Sequence, residues 1–223
     1  MYFLEYSIFL KKFNYKMLKA KKQLQKLFKS LTYKIYKLIY GEIDGVISPN
    51  NDSRIKKINF KISESGYNIF IVKKPRLYTD QVHDTAIILD NKIIDEASYQ
   101  LRVKHGDTTG ARNNSNVKNN IVFKNGTPRL LKKKKGNVAS LLSGGGSNKN
   151  YFHWLYDVLP RIGILEKQNF LNQINFFLLP NIKEKFQKET LKLLNFSDEK
   201  ILDSSTCRHI SCDKLFITNH PYC

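Results

Sequence analysis

Residues 143–161 read SGGGSNKNYFHWLYDVLPR. The apolar run Val138–Leu142 leads into this stretch as a buried strand. Three consecutive glycines then form a loop, and a helical pattern follows from about Tyr151 to Gln168. Beyond it, Ile174–Leu179 reads as an apolar strand, Lys183–Leu194 as an amphipathic helix, Lys200–Leu202 as a short strand and Lys214–Thr218 as a last strand. Strands alternating with helices at these lengths predict βαβ units, a parallel sheet and an α/β fold. Pro160 lies inside the helical stretch, where its missing N–H and its ring predict a kink or a shortened helix.

Working back from the glycines, residues 55–135 are rich in strands. Ile58–Ile62 alternates, Asn68–Val72 is short and apolar, and Ala86–Leu89 with Lys92–Ile94 flank Asp90-Asn91 as a hairpin. The polar stretch 105–120 reads as a long loop, and Lys132–Lys135 as a solvated turn. Gly41 and the segment GVISPNNDS at 45–53 read as a break. Residues 1–40 stand apart as a basic helical segment with ten Lys and one Glu. Within it Leu24, Leu27, Phe28, Leu31, Ile35 and Leu38 recur at the three- and four-residue spacing of one helix face. Such a helix suits an anionic membrane surface, and equally packing on its own domain or a partner. The chain thus divides into 1–40, a strand-rich part at 55–135 and a βαβ part at 136–223.

The composition narrows the function. Among 223 residues, 38 Lys and Arg against 19 Asp and Glu give a net charge of +19. Only seven of the 38 are Arg, the residue that pairs bidentately with guanine and phosphate, so no nucleic-acid partner is expected. At 41% apolar the chain can build a core, and no apolar run approaches the roughly 18–20 residues of a membrane span. Three Cys do not form a disulfide framework, which points to a reducing cytoplasm, with residues 1–40 at the inner face of the cell membrane.

The chemistry concentrates behind the glycines. Gly144, Gly145 and Gly146 let backbone approach a ligand, and the following helix start offers unpaired N–H groups to a phosphate, hydroxyl or carboxylate. The spacing is neither that of a Walker loop nor that of a dinucleotide-binding loop. His153 and Asp157 are four apart and Arg161 is four further on, so a regular helix would carry them in one row. A carboxylate beside an imidazole can fix its tautomer and raise its basicity, or act as a base itself. Asn150 suits the helix cap, or a substrate hydroxyl. The same row also fits an ordinary charged helix surface.

The run Asn150–Arg161 (NYFHWLYDVLPR), behind Gly144–Gly146, resembles the signature of glycosyltransferase family 61, whose bacterial members serve capsular polysaccharide biosynthesis. Arg76–Asp90 (RLYTDQVHDTAIILD) and Val122–Leu131 (VFKNGTPRLL) are similar to the N-terminal half of those members. The resemblance implies a Rossmann-like N-terminal lobe of the GT-B arrangement. It implies inverting transfer, without a metal or other cofactor, of a sugar from a nucleotide-sugar donor to a glycan acceptor. Asp157 and His153 would be catalytic, one as base and the other orienting it. Asn150, Arg161, the three glycines and His83 would bind substrate. Family members continue into a donor-binding lobe, whereas this chain ends at Cys223. The expectation is therefore an acceptor-side lobe, either truncated or completed by a separate chain. The alternative is a non-catalytic glycan-binding or scaffold remnant.

Weaker signals remain. Cys207, His209, Cys212, His220 and Cys223 crowd 17 residues and could hold zinc, but strand alternation predicts Cys207 and Cys212 on opposite faces. His83-Asp84 at a strand entrance could instead be a turn stabilised by Asp84. His105 lies in the polar loop.

Overall fold

The computed structural model describes residues 2–62, 65–81, 83–100, 116–142 and 148–219, with side chains from Tyr15 onward apart from Lys16. The glycines Gly144–Gly146, together with His105, His220 and Cys223, lie outside the described residues. The chain has an α/β fold in which two mixed sheets pack face to face.

One sheet contains β2 (Ile55–Ile62), β3 (Ser65–Lys73), β9 (Asn137–Ser140), β10 (Phe176–Leu179), β11 (Ile201–Asp203) and β13 (Lys214–Thr218), in the order β11-β10-β9-β13-β3-β2. Its first four members run parallel, and β3 and β2 extend it antiparallel. The other sheet has β1 (Gly45–Ile47), β6 (Lys92–Ile94), β5 (Asp84–Leu89), β4 (Arg76–Thr79), β12 (His209–Ser211) and β8 (Lys132–Lys133) in that order, with β7 (Tyr99–Gln100) paired to β5. Strands from both sides of residue 135 build each sheet. β2 and β3 join the parallel strands, and β12 crosses back to pair with β4. Residues 45–47, expected as part of a break, pair in parallel with β6. Lys132 and Lys133 form a short exposed strand rather than a turn, because their backbones bond to β12.

Period-two alternation divides the strands between three cores. Phe70, Val72, Val138, Leu178, Leu215 and Ile217 meet Leu77, Ile87, Leu89 and Ile210 between the sheets. From the same strands Ile69, Ala139, Leu179 and Phe216 point the other way, against the helices. Ala86, Ile88 and Ile93 face a third, smaller cluster with Val122 of the one-turn helix α2 (Val122–Asn125). Cys207 and Cys212 both enter the inter-sheet core, contrary to the expectation of opposite faces. The reason is that Cys207 precedes the strand at 209–211 and Cys212 follows it, so strand alternation does not relate them. The Asp90-Asn91 hairpin forms as predicted, with both residues at positive φ (46° and 60°) as a tight two-residue connection requires.

The long helix α1 (Tyr2–Tyr40) does not pack through its apolar stripe. Thr32, Tyr33, Tyr36, Lys37 and Tyr40 form the half-buried side. The Tyr40 hydroxyl accepts from the Leu131 N–H at 2.9 Å, and its ring meets His209 edge-on at 4.8 Å. Gly41, at φ 81°, ends the helix.

Candidate active site

Numbered among themselves, the parallel strands β9, β10, β11 and β13 stand in the order 3-2-1-4. The chain leaves β9 toward β10 on one side and reaches β13 on the other, so the order reverses between β9 and β13. In open α/β sheets ligands bind beyond the carboxyl ends of strands at such a point. In sequence the glycine-rich segment follows β9, and Thr218 closes β13.

The helix that follows has three parts: α3 (Tyr151–His153), a π turn at Trp154–Val158 and α4 (Leu159–Lys167). Asn150 caps it, its side-chain oxygen accepting from the N–H of Phe152 (2.9 Å) and His153 (3.4 Å). That oxygen is thereby committed to the helix. The π turn answers Pro160. A proline cannot donate to the carbonyl four residues back and its ring crowds it, so the helix widens and the Leu159 N–H bonds to the Trp154 carbonyl. The predicted kink is thus a one-residue insertion, and the helix continues. Trp154 anchors this turn, fully buried and donating from Nε1 to Thr190 Oγ1 at 2.8 Å on α5 (Lys185–Leu193).

His153 and Asp157 meet as predicted, with Nδ1 2.7 Å from Oδ2. Their environments differ. The Asp157 side chain is 4% exposed and the His153 side chain 22%. Against an ionised carboxylate, which only accepts, Nδ1 is the donor, and in the neutral imidazole Nε2 then keeps a lone pair. Arg161 does not extend the row at the surface. The wider turn shifts the register behind it, and Arg161 is buried, with Nε donating to the Asp157 carbonyl and Nη1 to the Thr218 carbonyl, each at 2.9 Å. Burial pushes its guanidinium from 12.5 down to about 10, against the opposing pull of Tyr99 and Asp157. Arg161 therefore ties the helix to the end of β13 and sets a positive charge behind Asp157. It does not reach out to a phosphate.

Asn148, which ends the glycine-rich segment, joins three elements. Its Nδ2 donates to the Gln81 carbonyl at 3.0 Å, its Oδ1 accepts from the Asn181 N–H at 2.9 Å, and its own carbonyl accepts from Gln187 Nε2 at 3.4 Å. The first of these bonds ties the turn between β4 and β5, which carries His83, to Asn148. Asp80, rather than Asp84, stabilises that turn, its Oδ1 accepting from the N–H of His83 (2.8 Å) and Asp84 (2.9 Å). Asp84 points inward and accepts from the Ile121 N–H.

Residue reading missed Asn148, and it missed the rings around His153. Tyr151, Phe152 and Tyr156 are large, aromatic and about half exposed, and Phe152 and Tyr156 lie 4.7 Å apart with their planes tilted by 30°. The signal was present: Phe152 and Tyr156 have the same four-residue spacing as His153 and Asp157. Among the described residues no group of three His, Cys, Asp or Glu is placed to hold a metal ion. His209 is fully buried between Tyr40 and Tyr78, with Nδ1 2.9 Å from the Arg129 carbonyl. A cavity of about 470 Å³ lies between α1 and the body, lined by Tyr33, Tyr78, Arg129 and Arg208 among others. Neither His153 nor Asp157 lines it. No family model, no curated protein and no solved structure matches this chain.

Proposed function

We propose that this chain is the acceptor-side, Rossmann-like lobe of an inverting glycosyltransferase of the GT-B arrangement, working in surface or capsular polysaccharide assembly. The observation that carries the proposal is the His153–Asp157 pair beside the β9/β13 switch point, with a buried carboxylate behind a partly exposed imidazole. The resemblance of Asn150–Arg161 to the family signature supplies the substrate class.

In this reading His153 is the base and Asp157 the residue that orients it, because the imidazole is the more exposed of the two. The acceptor hydroxyl gives its proton to Nε2 while its oxygen bonds to the anomeric carbon. The bond from that carbon to the leaving phosphate oxygen breaks, and the nucleoside diphosphate departs with the electron pair. Asp157 steadies the imidazolium as it forms. The exposed faces of Phe152 and Tyr156 offer the acceptor sugar an apolar platform beside the base. A nucleotide sugar and a glycan acceptor are the substrates, and a second lobe binds most of the donor.

The test is release of nucleoside diphosphate from a panel of nucleotide sugars, with and without oligosaccharide acceptors. His153→Ala is expected to lower turnover by about 10²–10⁴-fold with donor binding retained, the range a positioned general base supplies. Turnover unchanged in both His153→Ala and Asp157→Asn would overturn the assignment. A chain that binds oligosaccharide but turns over no nucleotide sugar even when a donor-binding lobe is supplied would be a glycan-binding scaffold instead.

A further inference from the structure

The apolar stripe of α1 is turned largely away from the protein, with Phe28 at its edge also lining the cavity between α1 and the body. Leu24, Leu27, Phe28, Leu31, Ile35 and Leu38 are 45–87% exposed. At the α-helical rotation per residue they fall within an arc of about 100°. The half-buried residues Tyr33, Tyr36 and Tyr40 fall on nearly the opposite side, and through them the helix is fixed to the body. Folding has therefore not used the apolar stripe. From Leu24 to Leu38 it runs for about 21 Å, at 1.5 Å per residue. Six large side chains left in water along that length form a contiguous patch of the kind that marks an interaction surface.

The charges around the stripe identify the occupant. Lys34 borders it on one side and Lys21 on the other, both exposed. Lys19, Lys22, Lys26 and Lys29 continue over the rest of the helix, and no Asp or Glu stands between Glu5 and Glu42. A second copy of this helix, packed along the same stripe, would bring the same uncompensated lysines together, and Lys21 falls in the heptad seam defined by Leu24, Phe28, Leu31, Ile35 and Leu38. An anionic bilayer surface instead complements both features. Its acyl boundary takes the leucines, and its headgroups take the ammonium ends of lysines lying along the interface. No described helix is long and apolar enough to cross a membrane, and a helix lying in the interface needs no such length.

We propose that residues 17–40 dock the protein flat on an anionic lipid surface. The stripe Leu24–Leu38 is immersed, Lys21 and Lys34 sit at headgroup level, and the tyrosine face holds the α/β body on the far side from the bilayer. This geometry is independent of what the His153–Asp157 site does.

The experiment is co-sedimentation of the full chain with vesicles of phosphatidylcholine, with and without phosphatidylglycerol, at low and high salt. The expected result is binding to the anionic vesicles, weakened by salt, and little binding to the neutral ones. Lys21→Gln with Lys34→Gln is expected to weaken it about thirtyfold, at roughly fivefold per basic residue near an anionic surface. Leu24→Asp with Leu31→Asp is expected to abolish it, the circular dichroism of the body staying unchanged because both side chains are exposed. Failure of the native chain to bind anionic vesicles overturns the proposal, as does equal binding to neutral ones. A native dimer in sedimentation equilibrium that Leu24→Asp/Leu31→Asp dissociates, with no vesicle binding, would overturn it in favour of self-association through the same stripe.

Discussion

His209 should make the stability of this fold sensitive to mild acid. It is fully buried, enclosed by the rings of Tyr40 and Tyr78, and its Nδ1 lies 2.9 Å from the Arg129 carbonyl. A carbonyl only accepts, so Nδ1 carries the proton and Nε2 is the bare nitrogen. Nε2 is itself buried, with no hydrogen-bond partner among the described residues. Protonation would place a charge and an unanswered N–H there. Burial accordingly pushes the imidazole from 6.5 down to about 4, with Arg76 acting in the same direction and the Arg129 carbonyl against it. In the unfolded chain the ring protonates at its ordinary value, so between the two values the unfolded state binds more protons. Stability is therefore full above about pH 6.5 and is lost as pH falls toward 4. Linkage puts the loss between pH 7 and pH 5 at about 2 kcal/mol, and the limiting loss below both values at about 3 kcal/mol. The assay is urea unfolding at pH 7 and pH 5, on the native chain and on His209→Asn. The Asn amide nitrogen stands near the Nδ1 position and can still donate to the Arg129 carbonyl, but does not titrate. The variant is expected to lose about 2 kcal/mol less than the native chain over the same interval. Equal losses in the two proteins would refute the reasoning.

Three further outcomes follow from the helix around the site and the loop before β9. Arg161→Met removes the bonds to the Asp157 and Thr218 carbonyls and the buried positive charge behind Asp157, and should cost about 3–5 kcal/mol in urea unfolding. Asn150→Ala removes the helix cap and should cost about 1 kcal/mol, seen as a lowered Tm, since Phe152 and His153 lose the acceptor for their N–H groups. Gly136→Ala should cost about 1–3 kcal/mol in the same measurement. Gly136 sits at φ 106°, and an added Cβ would stand 2.6 Å from Asn175 Oδ1, the acceptor for the Asn137 N–H at the start of β9.

Local pattern carried much of the architecture. The apolar runs at Val138–Leu142, Ile174–Leu179 and Lys214–Thr218 overlap or contain the strands at Asn137–Ser140, Phe176–Leu179 and Lys214–Thr218. The Asp-Asn turn announced the hairpin, since few other pairs tolerate two consecutive positive φ values. The His153–Asp157 pair was legible because a four-residue spacing survives the widened turn as a contact. The placement of Arg161 was not legible. Its four-residue spacing from Asp157 predicted a continuous surface row, and the one-residue insertion that accommodates Pro160 redirects everything behind it.

The sequence by itself determined the α/β class, many of the strands and the main helices, and the identity of the residues able to do chemistry. All of these follow from periodicities and turn preferences that act over a few residues. Tertiary structure decided the rest, because hydrogen bonding between distant strands and the direction of each packed face are long-range choices. Pairing of β13 beside β9 created the switch point next to His153 and Asp157, and the pairing of β12 with β4 joined the two sheets. The largest such decision concerns α1. Its sequence gives an apolar stripe and a basic remainder, and helical periodicity cannot say which side faces home. The bond from the Leu131 N–H to Tyr40 and the packing of Tyr40 on His209 fixed the tyrosine face inward and left the leucines outside.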